Sequence, residues 1–310
     1  MTLHGIHTID TGFQRPSFDA AYLVVEGGRG AFVDCGTNHS VPALLGTLAA
    51  AGLEPAAVDW LILTHVHLDH AGGAGALMSK LPNARLVVHP RGARHMVDPS
   101  LLVAGATAVY GEEEIRRSYG DIRATPAERV VEAHDGHAVD LAGRALVCID
   151  TPGHARHHNA VWDERSRSFF TGDTFGLSYR EFDTDHGAFI VPTTSPVQFE
   201  PEALHASIER LIGHAPQAMY LTHYDRVEDV RRLADDLHVQ IDAMVAIAHA
   251  HDGAADRHAA ITADLAMLYF DRARRHGCAF DRAHFDTLLG MDVELNAQGL
   301  GIWLDRAKKA

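Results

Sequence analysis

Short apolar runs separated by glycine-rich turns dominate the first two-thirds of the chain. Ala21–Glu26 and Ala31–Asp34 flank Gly27-Gly28-Arg29-Gly30, the signal of a hairpin. Trp60-Leu61-Ile62-Leu63 and Ala145–Asp150 are continuous apolar runs, as expected of strands buried on both faces. Arg85–His89 and Met219-Tyr220-Leu221 read as shorter strands, and Asn159–Asp163 with Ser168–Thr171 as a second hairpin. Helical periodicity marks Val41–Ala51, closed by Gly52, then Ala74–Lys80, Glu112–Tyr119 and Pro201–Ile212. From Val227 the strand signal disappears. Val227–His251, Asp256–His276, Asp281–Leu289 and Val293–Lys308 all carry helix-period apolar residues. The pattern predicts an α/β domain over 1–225 and a helical C-terminal extension over 226–310. That extension either covers part of the first domain or mediates a homodimer.

Composition narrows the class of protein. Of 310 residues, 46% are hydrophobic and 22% charged, the balance of a globular chain. The net charge of −14 repels phosphate backbones, so nucleic acid is not the expected partner and a small molecule is. The apolar runs are too short to span a bilayer, so no membrane association is expected. Met1–Thr11 lacks the basic and apolar regions of a signal peptide. Cys35, Cys148 and Cys278 lie far apart with no C-x-x-C spacing, which argues against a disulfide framework and fits a reducing, cytoplasmic setting.

Histidine is the abundant chemistry-bearing residue, 23 in all. Four candidate ligands fall in His65-Val66-His67-Leu68-Asp69-His70, just past the Trp60–Leu63 run. On an extended segment His65 and His67 point to the same side, while Asp69 and His70 turn toward a neighbouring volume. That suits two adjacent metal ions, although a histidine-rich surface loop has the same local sequence. Three further polar residues sit just past apolar strands: His154 after Thr151-Pro152-Gly153, Asp173 after Gly172, and His223 after Thr222. A rigid sheet can hold such loop-borne groups in place.

Thr64–His70 followed by Ala71-Gly72-Gly73 resembles the signature of the metallo-β-lactamase superfamily. Thr151–His154, Thr171-Gly172-Asp173 and Leu221-Thr222-His223 resemble its later motifs, in the family's order, and Asp34 resembles its early structural aspartate. The resemblance covers about 20–225. It implies an α/β four-layer αβ/βα sandwich, with the helical extension added. It also implies one metal on His65, His67 and His154, a second on Asp69, His70 and His223, and Asp173 bridging both. Two Zn2+ per chain is the expectation, and the nitrogen and carboxylate donors also accept iron or manganese. A water held between two cations ionises near neutral pH, and the resulting hydroxide attacks the substrate while Asp69, the expected catalytic residue, orients it. The implied activity is that of a metal-dependent hydrolase acting on a small ester, thioester or lactone, as in glyoxalase II and the acyl-homoserine lactonases. The C-terminal segment shows no clear basic cluster of the kind that binds glutathione. The alternatives are a mononuclear iron oxidoreductase like the persulfide dioxygenases, or a phosphodiesterase of the same fold. His67 speaks against a flavodiiron protein, and the complete ligand set against a non-enzymatic descendant.

Substrate contacts are expected from Tyr179, Arg180 and His158. The first two lie in Phe175–Glu200, a connection long enough to form a substrate lid. His157 and His158 are either groups that back the ligands or meet substrate, or polar turn residues entering a strand. His89, at a strand end, is expected to be structural.

Overall fold

The computed structural model describes residues 3–194 and 197–309. They form two compact units. Unit 1 runs to Asp150 and adds His157–Gly172 and Gln217–Arg226; unit 2 contains Thr151–Arg156, Asp173–Pro216 and everything from Val227 onward. The final passage into unit 2 lies beside the expected boundary after residue 225. Unit 2 departs from that linear boundary by also drawing in two earlier segments, which leave the strand ends of unit 1 and pack among helices.

Among the described residues unit 1 has two six-stranded sheets. In the first, β1 (Ile6–Asp10), β2 (Ala20–Glu26), β3 (Arg29–Val33), β4 (Val58–Ile62), β5 (Arg85–Val88) and β6 (Val130–Glu132) lie side by side in chain order. β1 to β3 pair antiparallel, and β3 to β6 pair parallel. The parallel crossovers carry α1 (Val41–Ala50), then α2 (Leu68–Ala71) and α3 (Ala74–Met78), then α4 (Pro90–Val97), α5 (Ser100–Tyr110) and α6 (Glu112–Tyr119). Alternation along β2 sorts the core. Leu23 joins Phe32 and Leu61 beneath Leu44, Leu48 and Leu77 of the helices, while Tyr22 and Val24 face the second sheet.

That second sheet contains β7 (Ala138–Leu141), β8 (Arg144–Asp150), β9 (Asn159–Asp163), β10 (Ser168–Phe170), β11 (Ala218–Leu221) and β12 (Asp225–Val227), again in chain order. The Tyr22 ring lies 5.2 Å from Phe170 and 5.4 Å from Tyr220, so the two sheets interdigitate through large aromatics.

Unit 2 contains α7 (Pro201–Ile212), α8 (Val230–Ala250), α9 (Arg257–Arg275) and α10 (Arg282–Ala307). Asp256 and Asp281 cap α9 and α10 by accepting from Ala259 N at 3.1 Å and His284 N at 2.9 Å. Asp281–Leu289 and Val293–Lys308, read as successive helical segments, belong to one helix. α10 runs through both, because Leu288, Leu289 and Val293 stay on one buried face. The expected lid is a packed segment: Phe182 stacks on Phe189 at 5.4 Å and meets Phe280 edge-on at 4.9 Å. Its apolar residues are too many to leave in water. No helix among the described residues is long and apolar enough to cross a membrane.

Candidate metal centre

The ends of β3, β4 and β11 are tied together by one buried carboxylate. Asp34, at φ 56° just past β3, accepts from Thr64 N and Oγ1 at 2.8 Å each, from Thr222 Oγ1 at 3.2 Å, and from His70 Nδ1 at 2.9 Å. Four donors compensate a charge that would otherwise be costly to bury. A carboxylate only accepts, so His70 donates through Nδ1 and presents the Nε2 lone pair. His223 is set in the same way, with Nδ1 2.9 Å from the carbonyl oxygen of Phe18. Both Nε2 atoms then face Asp69 Oδ2, at 3.7 Å from His70 and 3.5 Å from His223. The ligand atoms of Asp69, His70 and His223 lie within 4.8 Å of one another. A histidine whose far nitrogen is committed to a carboxylate or carbonyl is oriented to ligate, so this donor set fits a metal ion.

Beside it, still in unit 1, His65 Nε2 lies 2.8 Å from His67 Nδ1. His65 is fully buried. Its ring lies 4.9 Å from that of His158 and 6.1 Å from that of His157, both near parallel. His158 is itself buried and abuts Gly172, where a Cβ would come within 2.6 Å of its Nε2. His157 and His158 therefore form a wall against His65.

Unit 2 supplies the remaining candidates. Gly153 sits at φ +129°, and a Cβ there would fall 2.3 Å from Leu204 N on α7, so only glycine fits. That turn leads into His154, whose Nδ1 is 3.3 Å from the carbonyl oxygen of Thr193 and whose Nε2 is 3.3 Å from Asp173 Oδ2. Both side chains are buried. His154 thus has the arrangement seen at His70 and His223, one nitrogen on an acceptor and the other on a would-be ligand.

The other expected contacts are placed differently. Tyr179 is buried, and its hydroxyl donates to the Asp292 carboxylate of α10 at 3.2 Å. Arg180 folds onto its own turn, donating to the Ser178 carbonyl oxygen at 2.7 Å and lying 3.5 Å from Asp183. Both side chains are engaged within unit 2. His89 is structural: its Nδ1 caps α4 by accepting from Arg91 N at 3.1 Å.

One residue of unit 1 escaped the sequence reading. Asp19 is buried, accepts from Thr11 Oγ1 at 2.9 Å, and has an Oδ1 without a hydrogen-bond partner among the described residues. Burial pushes its carboxyl up to about 7, against the pull of His223 and His70 and with the help of Asp69. It precedes β2 as Asp34 follows β3. The two strands are antiparallel, so both acids lie at one end of the sheet.

A family model of the metallo-β-lactamase superfamily matches residues 15–212. The chain belongs to that superfamily. A metallo-β-lactamase fold-containing protein of Sulfurisphaera tokodaii is 26% identical over 228 residues, covering 72% of this chain and 79% of that one. A hydroxyacylglutathione hydrolase of Acidiphilium cryptum is 29% identical over 205 residues, 66% of this chain and 63% of the relative. In structure, a metallo-β-lactamase family protein of Thermus thermophilus superposes with a TM-score of 0.66 at 22% identity, covering 99% of this chain and 94% of that one. At that identity the likeness shows the fold, the superfamily's α/β sandwich with additional C-terminal helices. The fold and the His/Asp clusters together point to a metal cofactor.

Proposed function

We propose that this superfamily member is a dinuclear zinc hydrolase of small thioesters, with esters and lactones as related substrates. One metal would be held by His65, His67 and His154, the second by Asp69, His70 and His223, and Asp173 would serve both. The observation that carries the reading is the repeated orientation of imidazoles. His70, His223 and His154 each commit Nδ1 to an acceptor and turn Nε2 toward a carboxylate oxygen. Among the relatives, the hydroxyacylglutathione hydrolases favour the thioester.

When bound, such a metal pair supplies a water acidified toward neutrality and a Lewis acid for the substrate oxygen. The protein's own residues do the rest. Asp34 and the Phe18 carbonyl fix the rings of His70 and His223 against rotation. The Asp69 carboxylate, 24% exposed, can accept a proton from an approaching nucleophile. The wall of His157 and His158 narrows the space beside His65.

Metal analysis of the purified protein, with turnover of a panel of thioesters, lactones and phosphodiesters, tests the proposal. About two equivalents per chain are expected, falling on Asp173→Asn together with thioester hydrolysis. A single tightly held iron, with oxygen uptake on adding a persulfide, would replace the hydrolase by an oxidoreductase.

A further inference from the structure

Unit 2 contains a cavity of about 350 Å³ lined by Phe189 and by His186, Arg232, Asp236, Arg272, Arg275 and His276. None of the metal-centre residues lines it. Three guanidinium groups and two imidazoles meet a single carboxylate there, in a chain whose net charge is −14. The cluster is assembled by the fold: His186 comes from the Thr184–Gly187 turn, Arg232 and Asp236 from α8, Arg272 and Arg275 from α9. The end of α9, Arg272-Ala273-Arg274-Arg275-His276, is basic in the sequence, but only the fold brings Arg232 and His186 to it.

The internal pairing leaves cationic capacity unused. Arg232 is neutralised, donating to Asp229 at 2.6 Å, Asp236 at 3.1 Å and the Ala188 carbonyl oxygen at 3.0 Å. Arg272 donates one Nη2 bond to Asp236 at 2.7 Å, but its buried Nε–H has no partner among the described residues. Arg275 makes no hydrogen bond or ion pair among them, although it lines the same cavity. His276 holds the cavity's rim to the turn by its Nε2 contact with the Gly187 carbonyl oxygen at 2.9 Å. A buried N–H without an acceptor is costly, and a guanidinium offers paired donors matched to an oxyanion.

We propose that this cavity is a binding site for a phosphate group, held by Arg272 Nε and the Arg275 guanidinium and joining the 184–187 turn to α8 and α9. The volume takes a small phosphorylated molecule, at the low end of ordinary ligand sites. Asp236 acts against the ligand: it organises Arg232 and Arg272 while repelling an anion, and so keeps the affinity moderate.

Calorimetric titration of the metal-loaded protein with inorganic phosphate, glycerol 3-phosphate, acetate and chloride at one ionic strength tests the site. Phosphate should bind saturably and chloride should not. Arg275→Gln, a change at an exposed residue without partners, should weaken phosphate about tenfold. Asp236→Asn should tighten it, and a metal-bound phosphate would respond to neither variant. Tighter binding of glycerol 3-phosphate than of inorganic phosphate would assign the site to a phosphorylated small molecule; equal affinity would assign it to free phosphate. Equal response to acetate and phosphate, or an Arg275→Gln protein that binds as wild type does, would overturn the proposal.

Discussion

At the scale of the residue, Asp34 carries more than any single proposed ligand, because it serves Thr64, Thr222 and His70 at once. Asp34→Ala should therefore cost about 3–5 kcal/mol, the range for stripping the acceptor from a buried network. A lowered calorimetric transition of unit 1 would report it, and a loss below about 1 kcal/mol would deny the role. Metal content should fall as well, since His70 loses the partner that fixes its ring. Tyr179 makes the opposite case. Its hydroxyl is committed to Asp292, so Tyr179→Phe should cost about 1.5–3 kcal/mol of stability while leaving the KM for a hydrolysed thioester unchanged. A raised KM with intact stability would return Tyr179 to the substrate. The sequence made His65–His70 and Asp34 legible because their spacing and strand-end positions are local. Asp19 was illegible because its importance comes from β2 lying antiparallel to β3, which no local pattern records.

At the scale of the element, pattern was most informative where burial is one-sided or complete. β2, β4, β8 and β9, and helices α1, α6 and α7, fall within a residue or two of their expected spans. β1, Ile6-His7-Thr8-Ile9-Asp10, escaped because it is an edge strand with polar residues at three of five positions. β6, β7 and β12 escaped because three or four residues hold too little periodicity. Length and its place after Asp173 make Phe175–Glu200 read as a lid. Its phenylalanines were the better guide, since Phe175, Phe182, Phe189 and Phe199 are all buried. The turn between β8 and His154 yields a prediction at this scale. Gly153→Ala forces a Cβ onto the backbone of α7 and a side chain onto φ +129°. The turn must move, so metal bound through His154 should be lost even where the rest of the chain stays folded. Circular dichroism unchanged from wild type with metal content reduced is the expected pair of results. Full metal retention would mean that the turn does not position His154.

At the scale of the whole molecule, charge and ligation are coupled. The chain has a formal charge of −14, and its proposed ligands include two buried or half-buried carboxylates, Asp173 and Asp69. Without cations those carboxylates add to the repulsion within an already acidic molecule, and the facing His65 Nε2 and His67 Nδ1 need a proton between them. A ligand that binds only the folded state stabilises it by about 4 kcal/mol at a thousandfold excess over its Kd. Chelation should therefore lower the unfolding temperature, and added Zn2+ should restore it. Because two compact units are present, unfolding need not be a single transition, and calorimetry rather than one spectroscopic probe is the suitable measurement. His223→Ala provides the internal control. It removes a donor from the Asp69–His70–His223 group, so the variant's transition should respond less to chelator and to Zn2+ than the wild type's does. An equal response in both proteins would place the stabilising metal away from His223 and break the link between this cluster and the stability of the fold.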